Sequence, residues 1–206
     1  MRFRTLVLVM MFTVFSIPVM ADAIPYANVG FVAPTNVFHA SATGDVIGYF
    51  VQGGFLSGGP AAFLDFVKMR DLSTNTESGL LFNNQTTAAG ASANFGHVNA
   101  GDLLVFFLFD QNLNMTFASD PALSVDGINH AYATAWGGGL LNGANIPAGT
   151  YVGMEDLPAT FADFNYNDDS FVFTNTKIAT VPEPNSLRLL ASGLVGLGLL
   201  SKRLLS

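Results

Sequence analysis

The residues of this chain best placed to do chemistry lie between Tyr151 and Phe173, YVGMEDLPATFADFNYNDDSFVF, where five of its 15 acidic side chains fall together. Glu155 and Asp156 follow an apolar, strand-like run, Pro158 breaks regular structure, and Asp163, Asn165 and Asn167 then recur at every second position before Asp168 and Asp169. Calcium takes about six to eight oxygen ligands, and a short turn that aims carboxylates and amides inward from alternate positions supplies several at once. No Lys or Arg stands between Arg70 and Lys177, so carboxylates crowded there repel unless water or a cation screens them. The same residue types also stabilise turns through their own side chains, with no metal. The run has neither the glycine nor the spaced terminal Glu of an EF-hand loop.

The elements that must position these groups read as strands. Asp45 to Phe55 is aromatic and β-branched, with a turn or bulge at Gly53-Gly54. Ala62 to Arg70 alternates as a strand. Leu103 to Asp110, LLVFFLFD, has seven consecutive apolar residues bounded by turn signals, which predicts a strand buried on both faces. Asn112 to Phe117 gives a short strand and Ser119-Asp120-Pro121 a turn. Asp126-Gly127 marks a tight turn before a strand from His130 to Trp136. Ser170 to Ile178 is expected to close the domain as one strand. The polar stretch from Asp71 to Asn99 reads as loop-rich, and so does the passage through Asn142, Gly143 and Pro147. Short strands, frequent Gly, Asn and Pro turns and no long helical period predict an all-β domain over 24–180, a β-sandwich of jelly-roll type.

Composition narrows the function. Between Ile24 and Val181 stand three basic residues, Lys68, Arg70 and Lys177, against thirteen acidic ones. That excess of negative charge argues against nucleic acid as a partner. The chain has no Cys, so packing, and a metal if one binds, must stabilise it without disulfides. Its 19 Phe argue against a disordered linker.

Both ends carry addresses. Met1 to Ala23 has a basic start at Arg2 and Arg4, an apolar run from Leu6 to Ile17, then Pro18 and small residues to Ala21-Asp22-Ala23. This is the pattern of a secretory signal peptide cleaved after Ala23 or Ala21. At the other end, over 181–206, Val181-Pro182-Glu183-Pro184 precedes an apolar segment from Leu189 to Leu200 and the pair Lys202-Arg203. Counting Asn185 to Ser201 reaches about the minimum of 17 residues for a transmembrane helix, with Arg188, Lys202 and Arg203 able to snorkel. That order of features resembles the PEP-CTERM sorting signal of Gram-negative bacteria. The resemblance implies recognition at Pro182, Glu183 and Pro184 by an exosortase in the inner membrane, then export toward the cell surface or a biofilm matrix of exopolysaccharide.

The body has a resemblance of its own. Gly153-Met154-Glu155-Asp156-Leu157, then Asp163-Phe164-Asn165-Tyr166-Asn167-Asp168, resemble the Gly-Phe-Glu-Asp-Leu and Asp-x-Asp-Tyr-Asn-Asp signature of a bacterial extracellular domain of unknown function found in PEP-CTERM and other surface proteins. Met replaces Phe and Asn165 replaces the second Asp. Asp126-Gly127-Ile128-Asn129-His130-Ala131 fits the same family's Asp-Gly-x-x-His-Ala segment. The resemblance implies a β-rich secreted module with calcium dependence; it does not imply a reaction.

Three readings follow. In the first, the chain is a non-catalytic exported surface or matrix protein whose acidic loop is stabilised by calcium. Glu155, Asp156, Asp163, Asn165, Asn167 and Asp168 are then the candidate ligands, joined by Asp126 from the earlier turn. His130 is assigned to structure, because calcium prefers oxygen. In the second, the chain is a carbohydrate-binding module for exopolysaccharide, with Trp136, the single Trp, as a stacking face; core packing is the competing role for that ring. In the third, Glu155 or Asp156 pairs with Asp163 as acid and base across a glycosidic bond. The chain has no Cys nucleophile, His-Glu metal helix, Gly-x-Ser-x-Gly elbow or phosphate loop, so catalysis is the least favoured.

Overall fold

The computed structural model describes residues 23–54 and 62–180. The signal peptide expected over 1–23 lies outside the described residues except for Ala23, as do Pro182, Glu183, Pro184 and the expected transmembrane helix of the tail. Among the described residues no helix is long and apolar enough to cross a membrane.

The described chain is all-β. In order it forms β1 (Asn36–Ala40), β2 (Gly44–Gly53), β3 (Asp65–Asp71), β4 (Thr76–Glu77), β5 (Leu81–Asn83), β6 (Ser92–Val98), β7 (Leu103–Asp110), β8 (Met115–Ala118), β9 (Ala131–Trp136), β10 (Gly139–Leu141), β11 (Ala144–Ile146), β12 (Gly149–Met154), β13 (Asp169–Phe173) and β14 (Thr176–Thr180). One sheet runs β14, β1, β7, β3, β4, with β5 paired to β3 and β8 to β7. The other runs β6, β2, β13, β12, β9, and β10 and β11 form a separate hairpin. All the pairings are antiparallel.

The two sheets share one apolar core, as expected of a sandwich. Phe38, Val67, Met69, Leu104, Phe106 and Leu108 from the first sheet meet Val46, Phe50, Phe95, Val152, Phe171 and Phe173 from the second. Phe106 and Phe173 stack across the interface with centroids 4.0 Å apart. Each such ring contributes on the order of 2 kcal/mol through burial. β7 is buried on both faces as its sequence predicts, because Val105 and Phe107 on its outer side pack with Ala118 and Leu72.

Strand parity carries directly to the site. β3 alternates strictly, with Asp65, Val67, Met69 and Asp71 inward. Asp65 is therefore a core-facing residue at a strand end. The same holds for Asp110, in phase with Leu104, Phe106 and Leu108 on β7, and for Asp169, in phase with Phe171 and Phe173 on β13.

Several sequence expectations are corrected. The stretch 71–99 is loop-rich, but it also contributes β4, β5 and the edge strand β6, whose Phe95 and Val98 reach the core despite polar neighbours. The closing segment is two strands. Asn175, at φ +57°, turns the chain between β13 in one sheet and β14 in the other. Asn142 and Gly143, at φ +46° and +73°, make the two-residue hairpin turn between β10 and β11, the conformation that an Asn-Gly pair favours.

Candidate metal centre

The site stands at the end of the sandwich where β12 runs out. Met154 is the last residue of β12, paired with Asp169 at the start of β13, so Glu155 and Asp156 leave the sheet beside Asp168. One oxygen from each of Glu155, Asp156 and Asp168 lies within 4.8 Å of the others. Glu155 and Asp156 are buried and Asp168 half-buried. A cavity of about 150 Å³, lined by Gly54, Phe63, Glu155, Asp156, Asp163 and Asp168, opens against the group.

Gly153 explains how the loop comes so close. A Cβ there would collide with the carbonyl oxygen of Tyr166, so only glycine lets residues 163–168 lie on the face of β12. Tyr166 then anchors the loop from inside. Its hydroxyl accepts from Ala33 N (2.7 Å) and donates to Asn129 O (3.2 Å), and its ring meets Tyr26 edge-on at 5.1 Å.

The electrostatics are those of a site short of positive charge. Burial, then the neighbouring Asp168 carboxylate, pushes Glu155 up to about 9. Burial and the carboxylates of Asp168, Asp65 and Asp110 push Asp156 up to about 8. Burial raises Asp168 as well, against the hydrogen bond it accepts from Asp156 N at 3.2 Å. Glu155 Oε2 is buried with no hydrogen-bond partner. An oxygen-only group that carries an orphaned carboxylate oxygen and borders a cavity fits a hard divalent cation. The three residues Glu155, Asp156 and Asp168 could hold a metal ion.

The other expected ligands stand elsewhere. Asp163 is exposed, and its Oδ1 and Oδ2 accept from Asn165 N (3.0 Å) and Asn165 Nδ2 (2.7 Å). Asn165 Oδ1 in turn accepts from Asn167 N (2.9 Å). The every-second-residue spacing thus serves the loop's own backbone, with Phe164 and Tyr166 between at φ +51° and +57°. Asn167 gives its backbone carbonyl to Gln52 Nε2 at 3.2 Å. Asp163 still lines the cavity, and its charge helps raise Glu155 and Asp168.

Asp126 is not brought into the group. Its carboxylate accepts from His130 Nε2 (3.0 and 3.1 Å) and Ala159 N (2.9 Å). Burial acts to raise it, but Ala159 and His130 outweigh burial and leave it below its ordinary value. His130, fully buried against Phe117 at a centroid distance of 4.4 Å, also reaches Glu155 O at 3.2 Å. It therefore ties the Asp126 turn to the start of the acidic loop. Trp136 is half-buried against the cluster of Val51, Leu141, Ile146, Tyr151 and Val172, and its Nε1 donates to Ile146 O at 3.2 Å.

Sequence reasoning missed Asp65, Asp110 and Asn84 and left Asp169 out of the ligand set. For the three aspartates the signal was an acidic residue at core parity on the end of an apolar strand, in DFVKM, FFLFD and DSFVF; Asn84, in a turn, gave none.

Comparison with family models, with curated proteins and with solved structures finds no match to this chain.

Proposed function

We propose that this chain is a non-catalytic exported surface or matrix protein, sorted through its Pro182-Glu183-Pro184 tail, whose acidic loop is pinned to the sandwich by calcium at Glu155, Asp156 and Asp168. The observation that carries the metal is the convergence of these three carboxylates, with Glu155 Oε2 buried and unpartnered. Calcium is favoured over softer ions because oxygen is the only donor type in the group. The export half of the reading rests on the signal-like start and the resemblance of the tail to PEP-CTERM signals. The jelly-roll topology belongs to the same reading, supported by the chain's repeated passage between sheets, as from β1 to β2 and from β13 to β14.

Sugar recognition through Trp136 is the weaker reading, because that ring spends its N–H on Ile146 and part of its face on the β10–β11 hairpin. An acid–base pair of Glu155 or Asp156 with Asp163 is weaker still, since Asp163 commits both oxygens to Asn165.

The test is thermal melting of the full-length protein in EDTA and across a calcium titration. A site filled at one hundred times its dissociation constant adds about 2.7 kcal/mol. A saturable rise that Glu155→Gln abolishes supports the reading; melting curves that superimpose with and without calcium would end it.

A further inference from the structure

The end of the sandwich that carries the acidic loop also holds apolar side chains out in solvent. Tyr26 and Ala33 are buried beside Tyr166, and between them the chain turns at 27–30 and leaves Val29, Phe31 and Val32 exposed, Phe31 at 72%. On the neighbouring loop Phe161 is 75% exposed. The two loops are joined where Gly30 N donates to Asp163 O at 3.1 Å, so both Phe residues stand within two positions of one hydrogen bond. Phe161 also lines the cavity that opens onto Glu155, Asp156 and Asp168. Large apolar side chains grouped on loop tips around a polar cavity mark a surface that meets a partner.

Strand direction fixes which way that end faces. β14 ends at Thr180, whose partner across the sheet is Asn36, the first residue of β1 and four positions on from Val32. The remaining chain, 181–206, therefore leaves the domain beside the exposed turn. With a transmembrane helix beginning at Asn185, the four residues Val181 to Pro184 reach about 14 Å at full extension. The opposite end of the sandwich, where β2 begins, lies about 34 Å away along the ten residues of that strand. A bilayer that holds the tail thus lies against the loop end and out of reach of the other. Charge sets the condition for contact, because an acidic end is repelled by a surface of anionic lipid. Calcium takes about six to eight oxygens, and three carboxylates that converge through one oxygen each leave it positions for oxygens from outside.

We propose that this end is a calcium-dependent membrane-docking face. Val29, Phe31, Val32 and Phe161 enter the acyl boundary of the bilayer that holds the chain's own tail, and calcium at the acidic group takes a phosphate oxygen of a lipid headgroup. The inference rests on the calcium loop and the membrane-held tail proposed above, and adds the partner. Lipid fits this face better than a second copy does: apolar side chains on separate loop tips can each sink into a bilayer, whereas two copies meeting here would set their acidic groups against each other.

The chain has no Cys, so a single nitroxide label can be placed through Phe31→Cys, through Phe161→Cys and, as a control, through Ala42→Cys, on the exposed turn between β1 and β2 at the opposite end. Full-length protein is reconstituted into vesicles of phosphatidylethanolamine and phosphatidylglycerol, and label depth is read by electron paramagnetic resonance from accessibility to oxygen and to a water-soluble nickel complex. In calcium the labels at 31 and 161 should pass from nickel-accessible to oxygen-accessible while the label at 42 stays in water. Chelation with EGTA should reverse the shift, and Glu155→Gln should abolish it. Labels that stay in water, on protein that floats with the vesicles and still melts higher in calcium, overturn the docking face and leave the tail and loop readings standing. Lipid entry that is equal with and without calcium overturns the headgroup bridge, and dipolar broadening between labels at 31 in the absence of lipid gives the face to a second copy instead. Protein that does not float with the vesicles overturns the tail reading and this one with it.

Discussion

At one corner of the sandwich Asp126 gives its oxygens to His130 and to the Ala159 N–H, and its carboxyl sits below its ordinary value. At the neighbouring end Asp169, fully buried, keeps an oxygen with no donor and is pushed well above its ordinary value, by burial and then by Asp65, Asp156 and Asp168. Both are aspartates of the same β-rich frame, the first at its surface and the second out of water. The first is complete with protein atoms alone. The second is complete only with a proton or a cation added. A buried polar group without a partner costs about 1–3 kcal/mol, more when charged, so four orphaned carboxylate oxygens at one end of a domain are a large local debit.

Breaking the complete corner should have the largest effect. His130→Ala removes a fully buried ring from against Phe117 and strips Asp126 of its partner, so a loss of about 3–4 kcal/mol is expected. Chemical denaturation should show most of that loss in EDTA as well as in calcium, because the corner is complete without metal and only the His130 Nδ1 contact with Glu155 O reaches the acidic loop. A loss confined to calcium would merge the two regions into one.

The incomplete end should instead announce itself through pH. In metal-free protein Glu155, Asp156 and Asp65 rise from ordinary values of 4.5, 3.8 and 3.8 to about 9, 8 and 7. The folded state then holds protons that the unfolded state has released, so stability is complete below about pH 4 and is lost progressively as pH climbs to about 9. Melting in EDTA should fall across that window. Calcium, which needs the ionised carboxylates, should flatten the fall and be bound more tightly as pH rises. Equal slopes with and without calcium would count against any metal here.

Sharpening the contrast within the acidic end, Asp65→Asn removes one buried charge while keeping an oxygen for Asn84. In EDTA at pH 8 it should stabilise the fold by on the order of 2 kcal/mol, read from the urea midpoint. In saturating calcium the gain should shrink, because an ion at Glu155, Asp156 and Asp168 offsets the charge that Asp168 turns on Asp65.

Much of the frame was readable in residue order. LLVFFLFD announced a strand buried on both faces, and β7 is that strand. Glu155, Asp156 and Asp168 were legible as a group because they sit in one segment and no cation is near in sequence. What stayed hidden was long-range. β6 is an edge strand with alternating exposed polar residues, so its two core contacts, Phe95 and Val98, do not make an apolar run. Asp65, Asp110 and Asp169 are more than forty residues apart in sequence and meet only through the pairing of β3 with β7 and the packing of one sheet on the other. The Asp163-Asn165-Asn167 spacing misled in an instructive way, because the oxygens that could point at an ion cap backbone N–H groups of the loop.

Asp163 is where the two kinds of carboxylate meet, and it should give the smallest effect. It is exposed and its oxygens are satisfied, as at the complete corner, yet it lines the cavity and its charge raises Glu155 and Asp168, as at the incomplete end. Asp163→Ala frees Asn165 N, a loss of about 1 kcal/mol, and at the same time relieves repulsion on Asp168. The Gly30 N–H that bonds Asp163 O keeps its partner, since that acceptor is backbone. In EDTA the two changes oppose each other, and the melt should move little at neutral pH. In a calcium titration run beside Glu155→Gln, Asp163→Ala should weaken binding several-fold without abolishing it, as expected of a charge near the ion that does not touch it. Loss as complete as that of Glu155→Gln would make Asp163 a ligand, and the site would then reach from the buried group into the exposed loop.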